Sequence, residues 1–405
     1  MYEKPIVRYL DRTTPPHLTT LVLMAGVGAL SLNVFLPSLP SMAETYGVSY
    51  GLMQLSVSLY LAATAVLQIL VGPVSDRYGR RPVMLWATGI FILASLGVLL
   101  APNYTTFITC RMIQAVVASG MVLSRATVRD MVPQDQAASM IGYVTMGMAL
   151  VPMAAPVLGG FLDQAFGWES TFLLMALCGL ALVTLIWADM GETTTRRSTS
   201  MLAQLREYPQ LLVSQRFWGY CLTSAFSSGT FFAYLGGAPY VGSTYFEMDS
   251  ATLGLYFGTP AVGYMFGNYL SGRYAVRFGA NRMLFWGVML TVLALIVLVI
   301  LTLVLGASPA AFFGMMVGVG IGNGLVMPSA NAGMLSVRPH LAGSAAGLGG
   351  AFMIGGGAAL SVLAGFILRP ETGPMPLILL MLASSAIAVP CIFWVIWRQR
   401  RVGGA

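Results

Sequence analysis

From Met283 to Val337 the chain runs for 55 residues without one charged side chain. A helix needs about 20 mostly apolar residues to cross the hydrocarbon core of a bilayer, so this tract is too long for one crossing. It divides at Gly306-Ala307-Ser308-Pro309, where glycine and proline mark a turn between two spans. The rest of the chain has the same character: 57% of residues are hydrophobic, and 21 Lys and Arg with 14 Asp and Glu make only 9% charged. Ordinary globular domains carry about a quarter. A water-soluble fold cannot cover its surface with so few charges, and the same balance excludes disorder, nucleic-acid-binding arms and secreted disulfide scaffolds. Cys110, Cys178, Cys221 and Cys391 all fall inside apolar runs and read as small buried hydrophobes.

Reading between charges and turn residues gives twelve crossing stretches, near 18–38, 50–71, 83–101, 105–125, 137–161, 168–188, 217–236, 251–272, 283–305, 309–332, 342–367 and 376–397. Barrel strands are about ten alternating residues long, so these runs are helices. The first is too long for a secretory h-region and no convincing cleavage site follows it. Orientation follows from the cations. With the N-terminus inside, nineteen of the 21 Lys and Arg fall on the cytoplasmic side, leaving Arg369 outside and Arg111 within a span. The net charge of +7 therefore marks one rim of the protein, and both termini are expected in the cytoplasm.

The longest polar segment, 189–216, separates six spans from six. It divides the chain into an N-terminal bundle (1–188), a cytoplasmic linker and a C-terminal bundle (217–405). The two halves echo each other. Gly72-Pro-Val-Ser-Asp-Arg-Tyr-Gly79 is matched 200 residues later by Gly272-Arg-Tyr-Ala-Val-Arg-Phe-Gly279. Val157-Leu-Gly-Gly-Phe161 is matched 205 residues later by Val362-Leu-Ala-Gly-Phe366, and Ser139/Gly142 by Ser344/Gly347. Gly, Ala and Leu matches come cheaply in membrane sequences, but each pair falls at the same point of its half. Parallel repeats are a transporter design.

Three motifs carry chemistry. Gly72-Pro-Val-Ser-Asp76-Arg77-Tyr-Gly79-Arg80-Arg81 lies between spans two and three. Gly72 permits close helix approach and Gly79 a tight turn, while Asp76 can pair with nearby arginines and a helix N-terminus. The loop resembles the signature of the major facilitator superfamily, which implies a latch made in one state of the transport cycle. Arg111-Met-Ile-Gln114 in span four resembles that family's Arg-x-x-Gln-Gly, with Ala115 replacing glycine. An arginine in hydrocarbon costs several kcal/mol unless it meets water or a partner, so it is functional by default; a snorkelling structural arginine is the alternative. The run from Gly147 to Gly160 holds Pro152, Pro156, Gly159 and Gly160 and resembles the Gly-Pro-x-x-Gly-Gly of drug antiporters, with Ala155 before Pro156. Its prolines bend the helix and its glycines admit a neighbour.

Further segments resemble the Bcr/CflA branch of bicyclomycin and chloramphenicol exporters: Leu32-Asn-Val-Phe-Leu-Pro-Ser-Leu-Pro40, Val128-Arg-Asp130, Ala238-Pro-Tyr240 and Pro339-His-Leu-Ala-Gly-Ser344. The resemblance implies an all-α integral membrane fold with twelve helices in two six-helix halves. It also implies proton-coupled drug antiport by a monomer in the bacterial inner membrane, with no cofactor or metal. The branch usually has an acid where this chain has Asn33. None of the fourteen carboxylates lies deep in a span, and proton exchange needs a group that titrates. Either coupling has moved to a marginal carboxylate such as Asp130 or Asp163, or the protein runs differently, or Asn33 is an engineered mimic of protonated aspartate. By depth, an aspartate at 33 would face Arg111.

Polar and aromatic side chains at matching depths give the candidate cavity: Gln54, Tyr60, Gln114, Tyr143, Phe231, Tyr234, Tyr256, Asn268, Asn323 and Asn331, with Asn33 and Arg111. Aromatic, Met-rich walls suit varied apolar ligands. Arg111 without a buried acid favours neutral or weakly anionic drugs, phenicol-like or bicyclomycin-like, over lipophilic cations. The alternative is a facilitator for a sugar or amino-acid derivative, uncoupled because of Asn33. An ATP-driven pump lacks its phosphate loop. An enzyme lacks its constellation, since His17 and His340 stand apart near opposite ends of the chain, and a channel would show no latch. Nucleic acid is no partner.

Overall fold

The computed structural model describes residues 7–132, 140–141, 143–144, 148, 151–194, 208–337 and 342–402, which are helical almost throughout and contain no strand. The first half comprises α1 (Leu18–Asn33), α2 (Leu39–Tyr46), α3 (Tyr50–Tyr78), α4 (Arg80–Leu99), α5 (Tyr104–Gln114), α6 (Ser119–Met131), α7 (Val151–Phe166) and α8 (Glu169–Asp189). The second comprises the short α9 (Tyr208–Leu212), then α10 (Gln215–Tyr240), α11 (Ser250–Phe257), α12 (Thr259–Phe278), α13 (Ala280–Leu305), α14 (Pro309–Val337), α15 (Ala342–Ile367) and α16 (Met375–Val402).

Among the described residues, nine helical stretches are long and apolar enough to cross a membrane. Three of the twelve expected spans are not among them. The fifth falls partly outside the described residues. The seventh is helix α10, whose Ser, Thr and Gly lower its hydropathy, and the eighth is broken at Gly258, between α11 and α12. The first span is bent rather than straight. Pro37 and Pro40 have no N–H to give, so α1 passes through a 3-10 turn at Leu36–Ser38 into α2. Span four carries a similar 3-10 interruption at Ala115–Ala118, directly after Gln114.

The repeat is visible in the backbone. Gly79 (φ 102, ψ 150) and Gly279 (φ 86, ψ 148) make the same turn 200 residues apart. Each closes the helix before it by donating its N–H, to Ser75 O and Ala275 O respectively. Gly47 (φ 61) and Glu247 (φ 54) also correspond, each followed two residues later by an N-cap, Ser49 and Asp249. Of the echoed pairs, Ser139 and Gly142 lie outside the described residues, as do Glu3, Lys4, Asp135, Gly147, Arg196, Arg197, Arg206, Glu207, Arg338 and His340.

Within the first half α4 packs on α8 and α1 on α6. Within the second, α12 and α13 flank α14, and α10 lies on α15 and α16. The halves join along two seams, α3 with α15 and α7 with α11. One core runs through both, from Leu36 and Phe172 to Phe313 and Ile378. Large apolar side chains left outside, such as Trp86, Leu93 and Leu303, form the face that lipid covers. All four cysteines are free, but only Cys221 is buried. Cys110, Cys178 and Cys391 are half-buried, the first two packed against the edge of the core.

Candidate functional site

Arg111 is 0% exposed near the end of α5. Its guanidinium donates to the Ser31 carbonyl (2.6 Å), the Ser31 hydroxyl (3.2 Å) and Gln114 Oε1 (2.8 Å). It lies 4.2 Å from the ring centres of both Phe35 and Tyr60. Gln114 passes the network on, donating from Nε2 to Ser95 Oγ at 2.8 Å. Arg111 and Gln114 together thus tie α1, α3, α4 and α5. Two aromatic faces and three oxygens, none a carboxylate, compensate a charge that hydrocarbon would otherwise penalise.

Asn33 does not face Arg111. Its Nδ2 donates back to Ala29 O at 2.7 Å. Ser31 and Phe35 stand four residues apart on the side toward Arg111, and at about 100° per residue position 33 falls on the other side of the helix. The pairing expected from sequence is therefore not supported by the facing of position 33.

The remaining candidates separate into packed and open groups. Tyr234 is 1% exposed, donates to Phe257 O at 3.0 Å and stacks on that ring, so it belongs to the core and not to a cavity wall. Phe231 stacks beside it, and Tyr256 packs against Phe313. Asn323 is buried, accepting from Ser227 and donating to Val319 O, and Asn268 donates back to Tyr264 O. Tyr143 and Asn331 are exposed.

The two seams meet at helix ends remote from the Arg80 loop. Tyr50 OH donates to Gly236 O (2.8 Å), and Gln54 Nε2 donates to Ser361 Oγ (2.5 Å). Ser250 Oγ donates to Asp163 (2.5 Å), which also accepts weakly from Ser41 at 3.4 Å. The glycines of the antiporter-like motif explain the closeness. A side chain at Gly160 would strike the Ser250 carbonyl of the opposite half, and one at Gly159 would strike Val34 O. Gly254 returns the contact against the carbonyl of Pro156, which sits inside α7. The backbone at Pro152 is helical. Asp249 beside this seam caps α11, and hydrogen bonds from Thr252 and Ala251 hold its carboxyl below the usual carboxylate range.

The latch loop is closed by ions within its own half. Arg80 pairs with Asp76 (2.5 Å) and Asp130 (3.0 Å) and also donates to Ser75 Oγ. Its backbone N–H goes to Glu192 Oε1 at 2.9 Å. Arg81 donates to Trp187 O at 2.9 Å, and Arg77 lies over Tyr78. The expectation for Gly72 is not met, because a side chain there would meet nothing within 4 Å. In this conformation the helix faces open space at that point.

A family model described as Major Facilitator Superfamily matches residues 21–362. The chain belongs to the major facilitator superfamily. This facilitator is 30% identical to the multidrug resistance protein D of Escherichia coli, covering 92% of this chain and 94% of that one. It is 28% identical to a chloramphenicol resistance protein of Pseudomonas aeruginosa, over 95% and 91%. A solved bacterial homologue of the human lysosomal transporter Spinster, inward-facing and occupied, superposes with a TM-score of 0.71. It covers 95% of this chain and 96% of that one at 16% identity, which shows the fold. The superfamily makes the chain a membrane transporter rather than an enzyme.

Two parts of the facilitator's site are absent from the sequence reading. Glu192 accepts from the N–H groups of Arg80, Thr193 and Thr194, yet in the sequence it looks like one more linker charge. Asp189, expected at the cytoplasmic face, is 0% exposed and accepts from Leu10 N, His17 N and Thr20 Oγ1. His17 is therefore part of a docked segment as well as the cap of α1. The only signal for Asp189 is its place at the end of an apolar run, where a lone acid wants donors.

Proposed function

We propose that this facilitator exports small neutral or weakly anionic drugs, phenicol-like or bicyclomycin-like, by alternating access. The proposed form is a monomer in the bacterial inner membrane, with twelve spans in two six-helix halves and both termini cytoplasmic. The observation that carries the reading is Arg111. Its charge is compensated by neutral oxygens and π faces rather than by a carboxylate, and its buried Nε has no hydrogen-bond partner. An electronegative ligand that reaches it in another state of the cycle is therefore favoured over a cation. The names of the Escherichia coli and Pseudomonas relatives point the same way.

The closed seams at one end of the bundle support an outward-closed state. The same seams offer a candidate group for antiport against protons. A coupling group must change its surroundings as the halves rock. Asp130 bonds to Arg80 within its own half, whereas Asp163 bonds across to Ser250 and loses that partner on opening. Chloramphenicol uptake into everted vesicles with an imposed pH gradient tests both claims. Wild type should accumulate drug when the gradient is present, and Asp163→Asn should lose the dependence on it. Faster transport of a permanent cation than of the neutral phenicol would sink the substrate reading.

A further inference from the structure

A groove of about 510 Å³ runs on the outer face between α1 and α8, lined by Leu10, Leu23, Val27, Cys178, Leu182 and Leu185. Its wall along α8 extends from Cys178 to Ala188, ten residues or about 15 Å of helix. That is half of the roughly 30 Å hydrocarbon core, the depth of one leaflet. The groove is built rather than incidental. Leu10 overhangs its end in a left-handed conformation (φ 61), and the buried carboxylate of Asp189 holds it there through Leu10 N at 2.7 Å.

The same end is cationic. Trp187, next to the groove's last residue, is 58% exposed and carries Arg12 over its ring at 5.4 Å. Arg81 donates to the Trp187 carbonyl, and its Nε is buried without a hydrogen-bond partner. Asp11, the acid of this segment, is engaged by Thr13 N and Oγ1. Two guanidiniums around an interfacial tryptophan, above an apolar slot one leaflet deep, match a lipid with a negative headgroup.

We propose that this groove holds an acyl chain of an anionic phospholipid, with its phosphate between Arg12 and Arg81 beside Trp187. The site requires only that the chain crosses a bilayer; its assignment to the cytoplasmic leaflet rests on the orientation proposed above. The full-length protein in phosphatidylcholine nanodiscs, doped with phosphatidylglycerol carrying a photoreactive acyl chain, tests it by peptide mapping. The peptides around 21–27 and 178–188 should be labelled roughly five- to thirtyfold more than by the phosphatidylcholine analogue, as about 1 kcal/mol per basic residue near a headgroup implies.

Ala181→Trp, which fills the slot from an exposed position on its wall, should abolish that labelling. Arg12→Gln should reduce the headgroup preference severalfold while leaving acyl contact. Equal labelling by the two lipids in wild type, or undiminished labelling of Ala181→Trp, would overturn the site. Reaction of Tyr9→Cys with an impermeant maleimide in spheroplasts reports orientation separately, so failure of the topology is not mistaken for failure of the groove.

Discussion

The Arg111 guanidinium reaches the main-chain carbonyl of Ser31 at 2.6 Å, a contact that no side-chain substitution at position 31 removes. The bond explains how an arginine without an acid is held within the membrane: the 3-10 turn and bend after α1 bring Phe35 onto one face of the guanidinium while Tyr60 covers a face from α3.

Arg111→Lys keeps the charge and loses both the planar fork and the stacking. Desolvated cation–π contacts are worth about 2 kcal/mol, so transport should fall at least tenfold and thermal stability in detergent should drop. Wild-type drug efflux in Arg111→Lys would show that position 111 serves only as a charge.

Asn33→Asp exchanges an amide donor for a carboxyl that can donate to Ala29 O only when protonated. The variant should be near wild-type stability in acid and lose stability as pH rises, while wild type shows no such trend. Because position 33 lies on the other side of α1 from Arg111, the loss should persist in Arg111→Met. Melting curves across pH for the single and double variants check both points.

Gly160→Ala introduces a methyl group against the Ser250 carbonyl and blocks closure of the α7–α11 seam. Overpacking of this kind costs about 1–3 kcal/mol, roughly a five- to 150-fold shift toward the state in which the seam is open. Ser250→Cys in a cysteine-free background should then react correspondingly faster with an impermeant thiol reagent. Unchanged reactivity would mean that the seam does not gate.

Glu247 holds a left-handed conformation that its counterpart Gly47 adopts without strain. Glu247→Gly should stabilise the protein by up to about 1 kcal/mol, read as a rise in melting temperature, and Gly47→Glu should lower it.

Asp249 caps α11, and Asp249→Ala should cost about 1 kcal/mol at neutral pH. Hydrogen bonds hold the carboxyl below its ordinary value. Its contribution is therefore present above the unfolded-state value near 4 and is lost as pH falls through the lowered one. The gap between wild type and variant should close in strong acid.

Much of this was legible in the sequence, and the residues show why the rest was not. Apolar length reveals a span, so α13 and α14 could be divided at Gly306 from the uncharged tract alone. Spans that spend their surface on a polar interior, such as α10 with its run of Ser, Thr and Gly, blur by the same measure. The membrane cost of a charge marked Arg111 as special. Of its partners, Gln114 and Tyr60 were among the candidates, whereas the Ser31 carbonyl and Phe35 stayed hidden because a carbonyl and a ring carry no distinctive spacing. Asn33 was matched to Arg111 by depth alone, and counting about 100° per residue from Ser31 puts it on the other side of α1. Glu192 and Asp189 act through contacts more than a hundred residues away in sequence, and only folding brings those together.

The two turns at Gly79 and Gly279 share a shape but not a chemistry. The first is followed by Arg80 and Arg81 and laced to three acids, whereas Ala280 and Asn281 occupy those places in the second. The first turn is thus an ionic clasp, while at the second Asn281 accepts a neutral hydrogen bond from Tyr220 OH at 2.9 Å. Salt therefore weakens the ion pairs at the first turn more than the neutral bond at the second, so the two joints resist rocking unequally.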